Sequence, residues 1–184
     1  MANYNLKKGH TLKMDGEPKK VLGKPILTDN VCLHPKDFPG IKPKLLVKEG
    51  DTVLAGSPVF FDKLNPEVKF VSSVSGTVSE IAFGKRRVIE RIIVNGDGKS
   101  TNLKSDSFSL DKSSKDDLKS KLLESGLWPT IRQRPFSKVA NPDQIPRDIF
   151  ISVYTTAPCA ADQAFVLKGR EKEFAVGLNA LGIL

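Results

Sequence analysis

The chain has 184 residues, of which 39% are hydrophobic and 27% are charged. These proportions are typical of a globular protein, and the length suits one domain or two small ones with a sizeable core. The sequence holds no run of ~18 apolar residues, and its first residues lack a hydrophobic stretch. We therefore expect neither a membrane span nor a secretory signal.

Much of the net charge of +8 comes from residues 1–48, which hold ten Lys against four Asp or Glu. A basic surface can attract nucleic acid, anionic lipid or an acidic protein. These lysines are dispersed among Gly and Pro and accompany no recognised nucleic-acid-binding module, which argues against nucleic acid. Two interpretations are left: a solvated surface, or a face toward protein partners or an anionic membrane leaflet.

Cysteine and histidine are too sparse for a metal centre. Cys32 and Cys159 are far apart without CxxC spacing, and His10 and His34 are equally isolated. An iron–sulfur cluster requires about four thiolates, and a zinc site requires a comparable ligand set. We expect reduced thiols, no metal and no catalytic centre in this chain.

Residues 1–30 are predicted to form an N-terminal extension with one or two strands, built on the apolar pieces 21–22 and 26–28. A short strand is expected at 31–33. Three prolines and a glycine then make 34–43 a stiff extended loop. Its large apolar residues, Phe38 and Ile41, either cover a core or are offered to a partner or an apolar ligand.

The segment 45–83 organises the chain, because short β-prone runs alternate there with turn pairs such as Gly50-Asp51. Two pieces echo each other: VKEGDTV at 47–53 and VSGTV at 74–78 each place a glycine shortly before Thr-Val. Repeated short strands of this kind favour a small closed or sandwich-like β unit.

The next residues are predicted to complete that unit. A hairpin turn at 84–87 leads into a strand at 88–94, which pairs back on 77–83 and ends in a turn at 95–98. The Ser-, Lys- and Asp-rich residues 99–112 suit a linker.

A helix follows, capped by Ser113 or Ser114 and running to about residue 124, where Gly126 stops it. Its apolar face is expected to hold Leu118, Leu122 and Leu123.

The stretch 127–138 combines aromatic and cationic residues. Paired arginines near aromatic rings can clamp a phosphate or carboxylate, or stack on a flat ring. Alternatively, the arginines satisfy helix-end carbonyls while the aromatic rings fill a core. The residues concerned are Trp128, Arg132, Arg134 and Phe136.

Near the C-terminal end, 149–153 is a β-prone run that predicts a buried strand, and the loop 155–158 after it is a candidate site wall. A helix is predicted over 170–184, with Phe174, Leu178 and Leu181 at helical spacing. The chain stops inside that apolar run, which leads us to expect a shortened form of a longer protein.

The β unit resembles the biotinyl/lipoyl-type barrel-sandwich hybrid on the sequences VKEGDTV, GSPVF and SSVSGTVSEI. A carrier domain of that type presents a lysine for covalent modification on a hairpin, and Lys63 lies near the equivalent place. Residues 64–67 are expected to lengthen the loop here. A solvated surface lysine is therefore preferred over a carrier site.

A longer series of motifs is similar to the N-terminal part of the A subunits of sodium-translocating NADH:quinone reductases, which are bacterial respiratory complexes. The resemblance runs from about Leu6 to the last residue. Its ordered motifs are FPGIKP, VKEGD, FDKLNP, SGTV, GKRRV, SGLW and RQRPFSK.

This resemblance implies an α+β fold: a β-rich barrel-sandwich hybrid, with its N-terminal extension, within 1–98, a linker at 99–112, and the first part of an α/β domain at 113–184. That second domain would be similar to the flavin-binding subunit of respiratory NADH dehydrogenases, without its glycine-rich nucleotide loop. The alternatives are the C subunit of an Rnf-type electron-transport complex and a carrier or adaptor domain.

The resemblance also implies a role. The chain would be a peripheral, non-redox subunit on the cytoplasmic side of the inner membrane, in contact with the other subunits of the oxidoreductase. Flavins and an iron–sulfur cluster would belong to those partners, and ubiquinone is the expected ligand. The candidate quinone-binding residues are Phe38, Ile41, Trp128, Arg132, Arg134 and Phe136.

Overall fold

The computed structural model describes residues 9, 15–16, 18–25, 28–99, 101–110, 113–155, 157 and 159–184. The strands in these ranges are β1 (Asn30–Leu33), β2 (Pro43–Leu45), β3 (Thr52–Val53), β4 (Pro58–Asp62), β5 (Asn65–Val71), β6 (Gly76–Phe83), β7 (Ile89–Gly96), β8 (Arg132–Gln133) and β9 (Lys138–Val139). The helices are α1 (Lys115–Glu124), α2 (Gln163–Leu167) and α3 (Glu171–Ile183).

Two antiparallel sheets make up the barrel region, residues 30–96. One has the strand order β1-β7-β6-β3, and the other has the order β2-β4-β5. Both sheets contribute to one core, whose fully buried members include Phe60, Val59, Val68, Val78, Ile92 and Val94. Of the two predicted forms of the β unit, closed or sandwich-like, the sandwich-like one is observed.

The two echoing sequences lie side by side. In β3 and β6, Thr52 pairs with Thr77 and Val53 pairs with Gly76. A Cβ at Gly76 would stand 1.8 Å from the carbonyl oxygen of Asn95, so no side chain fits there. The glycine before the second Thr-Val therefore allows two strands to approach closely.

The hairpin of β6 and β7 is also confirmed, with Phe83 opposite Ile89. The predicted turn at 95–98 is partly wrong, because β7 continues through Asn95 and Gly96. These two residues extend the strand because they lie opposite Thr77 and Gly76 in the ladder.

The expected lengthening of the β4–β5 loop by 64–67 is wrong. Asp62 lies opposite Asn65, so the turn holds two residues and Lys63 is at its exposed tip. The buried Asp62 carboxylate closes the turn by accepting hydrogen bonds from the Leu64 amide (3.1 Å) and the Asn65 side chain (3.2 Å). Pro66 is tolerated in β5 because that strand forms the edge of its sheet.

Before the barrel, the predicted strand at 31–33 is confirmed as β1. The predicted strand piece at 21–22 is wrong: Val21 and Leu22 are 71% and 84% exposed, and no described strand lies beside them. Of the piece 26–28, Ile26 and Leu27 lie outside the described residues, and Thr28 is not in a strand.

After the barrel, the start of the predicted linker is bound to it. The Ala55 amide donates to the Thr101 carbonyl (3.2 Å), and the Leu103 amide donates to the Ala55 carbonyl (2.8 Å). The Thr101 amide also donates to the Ser75 hydroxyl (3.2 Å). Residues 101–103 thus continue the surface of the barrel region.

The C-terminal region, residues 113–184, begins with α1, which packs on β5. Of the two predicted cap residues, Ser114 caps the helix, and it forms a reciprocal capping box with Asp117. Leu118 and Leu123 are buried. Gly126 ends the helix at φ +70°, where a Cβ would stand 2.5 Å from the Val71 side chain.

The predicted helix near the C-terminal end is confirmed as α3, but the predicted strand at 149–153 is wrong. Its residues are in no strand, and Phe150 is 86% exposed. A β-prone run forms a strand only beside a pairing partner, and no described strand lies next to this one. Among the described residues, no helix has the length and apolar character to cross a membrane.

Candidate functional site

The Pro-rich loop 34–43 is anchored on the barrel core through Phe38. A 3₁₀ turn at Pro35–Asp37 precedes it, with Pro35 buried. The half-buried Phe38 ring meets Phe70 edge-on, with centroids 4.5 Å apart, and Phe70 stacks on Phe60 at 4.4 Å. Phe38 therefore extends the core to the surface of the barrel region.

Arg132 joins this loop to the β8–β9 hairpin. Its guanidinium lies 5.2 Å from the centre of the Phe38 ring, the distance of a cation–π contact. It also makes two long hydrogen bonds of 3.4 Å, one to the Ser137 carbonyl across the hairpin turn and one to the Asp37 carbonyl. The two stretches singled out in the sequence are thus neighbours in space.

An open cleft of about 490 Å³ lies where they meet, within the usual size range of ligand pockets. Four elements form it: the loop after the 3₁₀ turn, the β4–β5 turn, the β8–β9 hairpin and the loop after β9. Its lining residues include Ile41, Leu64, Asn65, Gln133, Arg134, Phe136, Lys138 and Gln144.

The cleft combines cations with an aromatic ring. Phe136 is 74% exposed, and the Lys138 ammonium lies 5.7 Å from the centre of its ring. In the described part of the chain, no carboxylate forms an ion pair with Arg134 or Lys138. Both cations are therefore available to an anion or a carbonyl oxygen.

Hydrogen bonds fix the wall formed by the hairpin. The Gln133 side-chain amide donates to the side-chain oxygen of Gln144 (2.7 Å), and the Asn141 backbone amide donates to the side-chain oxygen of Gln133 (3.3 Å). On the opposite wall, Asp62 accepts a hydrogen bond from the Lys42 amide (2.8 Å). These bonds position the walls and leave Arg134 and Phe136 at the turn between β8 and β9.

The structure separates the six candidate residues into three groups. Ile41, Arg134 and Phe136 line the cleft. Phe38 and Trp128 belong to the packing beneath it, and Arg132 links the two walls.

Trp128 is only 6% exposed and donates its indole N–H to the Ala140 carbonyl (2.8 Å). It packs in the same core cluster as Leu123 and the barrel residues. Its place matches the structural interpretation of the stretch, in which aromatic rings fill a core, but that interpretation is wrong for Phe136, which is exposed.

Sequence analysis missed several residues of the cleft. Lys138 lies four residues after Arg134 in the same stretch, and its charge beside Phe136 could have singled it out. Asn65 and Gln144 carried no signal, because they come from separate turns that only the tertiary fold brings together.

A second, larger groove of about 1,280 Å³ lies on the C-terminal region. Three of the candidate residues line it, Trp128, Arg132 and Arg134, together with others such as Arg147, Phe150 and Leu181. Arg147 pairs with the adjacent Asp148 at 2.7 Å. The predicted site wall at 155–158 is incompletely described, since Thr156 and Pro158 lie outside the described residues.

Two family profiles match the chain. The profile described as the NqrA N-terminal barrel-sandwich hybrid domain matches residues 4–97, and the profile of the NqrA second alpha/beta domain matches residues 113–184. The resemblance to the A subunits and the order of the two fold types are thereby confirmed.

Curated relatives carry the name of the A subunit of the Na(+)-translocating NADH-quinone reductase. The protein of Haemophilus influenzae (strain PittGG) is 37% identical over 181 residues, which cover 97% of this chain and 40% of the relative. That of Actinobacillus pleuropneumoniae serotype 5b is 39% identical over 178 residues, 96% of this chain and 40% of the relative. That of Shewanella amazonensis is 36% identical over 181 residues, 97% of this chain and 41% of the relative. The chain thus spans about 40% of the length of these relatives.

Proposed function

Because the chain belongs to the family of A subunits of the Na⁺-translocating NADH-quinone reductases, we propose that it is a peripheral part of that respiratory complex and helps to bind or position ubiquinone. Flavins and the iron–sulfur cluster reside on partner subunits in this proposal. The chain is held by those subunits on the cytoplasmic side of the inner membrane. The matching profiles favour this assignment over the C subunit of an Rnf-type complex or a carrier domain.

One observation carries the quinone proposal: the loop around Phe38 and the hairpin after Arg132, far apart in sequence, meet at one cleft. A quinone head group is a flat ring with two carbonyl acceptors, and an exposed aromatic ring with nearby cationic donors suits that chemistry. Phe136 supplies the ring, and Arg134 and Lys138 supply the donors. Ile41 and Leu64 provide apolar contact for the substituents of the quinone.

The remaining candidate residues support the cleft and do not contact the quinone in this proposal. Arg132 and Phe38 position the two walls, since the guanidinium contacts both the ring and the carbonyls of Asp37 and Ser137. Trp128 supports the hairpin from below through the Ala140 carbonyl.

The test is a titration of the chain with a short-chain ubiquinone analogue, followed by protein-observed NMR. Signals of Ile41, Arg134 and Phe136 are expected to shift in a saturable way. Phe136→Ala should lower the affinity by about three- to tenfold, the value of one aromatic contact. Arg134→Gln should lower it by a similar or larger factor, because the charged donor is lost.

Phe150→Ala is the matched control, since Phe150 is also highly exposed but lines the larger groove. Its affinity should equal that of the unchanged chain. If Phe150→Ala weakened binding while Phe136→Ala did not, the larger groove would be the site and the cleft proposal would be wrong. Absence of saturable shifts in a folded sample would also overturn the quinone role of this chain.

The non-redox assignment has its own test. The sequence offers two cysteines in total, fewer than the four thiolates of a typical iron–sulfur cluster. The purified chain is expected to contain neither flavin nor iron in stoichiometric amounts. Either one at a ratio near one per chain would contradict the assignment.

A further inference from the structure

The turn between β6 and β7 carries three consecutive cations that the quinone proposal does not use. Lys85, Arg86 and Arg87 are all exposed. None of them forms an ion pair with a carboxylate of the described residues. Three unpaired positive charges at one end of a hairpin produce a strong local potential.

Half-exposed apolar side chains border these cations on both sides. Phe83, the last residue of β6, is 50% exposed, and Val88 is 48% exposed. Together, residues 83–88 form what we call the hairpin tip. The hairpin tip thus combines groups suited to the two parts of a lipid interface: cations for the charged head groups and apolar side chains for the upper part of the acyl chains.

The hairpin tip is held in shape by its own backbone. The Gly84 amide donates to the Val88 carbonyl (2.8 Å), and the Arg87 amide donates to the Gly84 carbonyl (3.1 Å). Arg86 and Arg87 both adopt φ of 57°, a left-handed conformation that few residues other than glycine adopt. Residues held in sparsely populated backbone conformations are concentrated at functional sites, which suggests a function for these two arginines.

The carboxylates nearest the hairpin tip are already paired. Glu90, whose carboxylate lies against Gly84, is 3.6 Å from the Lys36 ammonium. Glu80 accepts from Arg91 at 2.8 Å. Each of these two carboxylates already has a cationic partner, and neither forms an ion pair with the three cations of the hairpin tip.

The geometry points to the hairpin tip as a docking element for an anionic phospholipid surface. The cations contact lipid phosphates, and Phe83 and Val88 enter the interface beside them. Lipid fits better than nucleic acid, because one aromatic ring and three cations at a narrow turn offer no stacking platform or groove for a strand. The hairpin tip contains no residue of the quinone cleft, so this inference stands apart from the proposed quinone role.

The test is co-sedimentation of the chain with vesicles of phosphatidylcholine alone or of equal parts phosphatidylcholine and phosphatidylglycerol. Binding is expected only to the anionic vesicles, and it should weaken as salt is added because the interaction is screened. Each basic residue near an anionic surface contributes about a fivefold factor to binding.

The variant Lys85→Ser/Arg86→Asn/Arg87→Asn removes all three charges. Asn is chosen because it tolerates the left-handed conformation better than other polar residues. A loss of about 100-fold in vesicle affinity is expected. Lys85→Gln alone, which leaves the left-handed positions untouched, should cost about fivefold. Phe83→Ser tests the apolar contact, with a loss of about fivefold.

The matched control, Lys63→Gln/Lys104→Gln/Lys172→Gln, removes three exposed charges elsewhere on the chain. It should retain most of the binding. Equal losses in both triple variants would show a mere effect of net charge and overturn the proposal. So would a folded chain that ignores anionic vesicles, and retention on a polyglutamate resin in that case would indicate an acidic protein partner instead.

Quinone affinity should be unchanged in all hairpin-tip variants. The two proposals can therefore fail separately.

Discussion

The barrel region and the C-terminal region bury their apolar side chains in different ways. In the barrel region, both sheets contribute to one closed core with fully buried members such as Phe60 and Ile92. In the C-terminal region, α2 and α3 contain no buried residue, and the buried Leu123 and Trp128 belong to the same cluster as the barrel core. The barrel region thus supplies its own core, whereas the C-terminal region depends on the barrel for much of its burial.

The largest expected effect comes from emptying the shared core. Phe60→Ala should lower the free energy of unfolding by about 3–5 kcal/mol, because it removes a fully buried ring and its stacking on Phe70. Since Trp128 packs in the same cluster and is the sole tryptophan, its fluorescence should report the loss together with circular dichroism during urea denaturation.

Phe150→Ala is the control in the C-terminal region and should change the free energy of unfolding by less than about 0.5 kcal/mol, because the ring is 86% exposed. If the two substitutions were equally damaging, the contrast between the regions would not hold.

A smaller loss of stability is expected from a substitution at the close approach of β6 and β7. Gly76→Ala should destabilise the barrel region by about 1–3 kcal/mol, because the new methyl group meets the Asn95 carbonyl and the strands must shift. Thermal unfolding monitored by circular dichroism measures it.

Gly177→Ala in α3 is the counterpart, with nothing within 4 Å of the new methyl group. It should stabilise the helix by up to about 1 kcal/mol, because alanine is the better helix former. A neutral Gly76→Ala would mean that the ladder between β6 and β7 is looser than the structure indicates.

Removal of the cap at the start of α1 should destabilise this helix without affecting the barrel region. Ser114→Ala removes the acceptor for the Asp117 amide (3.2 Å) and should cost about 1 kcal/mol. Hydrogen exchange followed by NMR should show faster exchange in α1, with β6 and β7 unchanged. Ser120→Ala, in the middle of the same helix and exposed, should cause no loss. Faster exchange throughout the barrel would show that the two regions open together.

The smallest expected effect is a loss of stability in acid, to which both regions contribute. Hydrogen bonds from the Ser114 side chain and amide lower the pKa of Asp117, and the Lys99 amide and Ser75 hydroxyl lower the pKa of Asp97. Because each carboxyl group has a lower pKa in the folded chain than in the unfolded chain, the unfolded chain binds protons at a higher pH. The stabilisation that these hydrogen bonds contribute is therefore present at neutral pH and is lost as pH falls through the folded-state pKa.

Carboxyl NMR titration should place the pKa of both groups below the usual value of an aspartate, and Ser114→Ala should raise the pKa of Asp117 while leaving that of Asp97 in place. A common shift of the two would contradict the local cause.

The sequence was most informative where local chemistry decides the structure. A cap at Ser113 or Ser114, the stop at Gly126 and the hairpin of 77–83 with 88–94 follow from residue types at fixed spacings. The structure has the cap at Ser114, the stop at Gly126 and the hairpin. The candidate stretches 34–41 and 128–138 are also singled out by a local signal, clustered Pro, Arg and aromatic residues. The structure brings the two stretches together, and their role as a binding site stays a prediction.

What could not be predicted depends on distant partners. The run 149–153 has the composition of a strand, but pairing is decided by neighbours, and none lies beside it among the described residues. The turn at Lys63 is tight because Asp62 gathers nearby donors, a contact that turn statistics do not contain. The division of the candidate residues also required the fold, since Phe38 and Phe136 look equivalent in sequence.

The attachment of residues 101–103 to Ala55 and Ser75 shortens the tether between the two regions. Its free part starts at Lys104 instead of residue 99, and the exposed residues 104–107 are the natural place for a protease to cut. After such a cut the halves would separate slowly, because the contacts of α1 and Trp128 with the barrel remain. The same four residues are where an inserted loop, an affinity tag or a new chain terminus would disturb neither region.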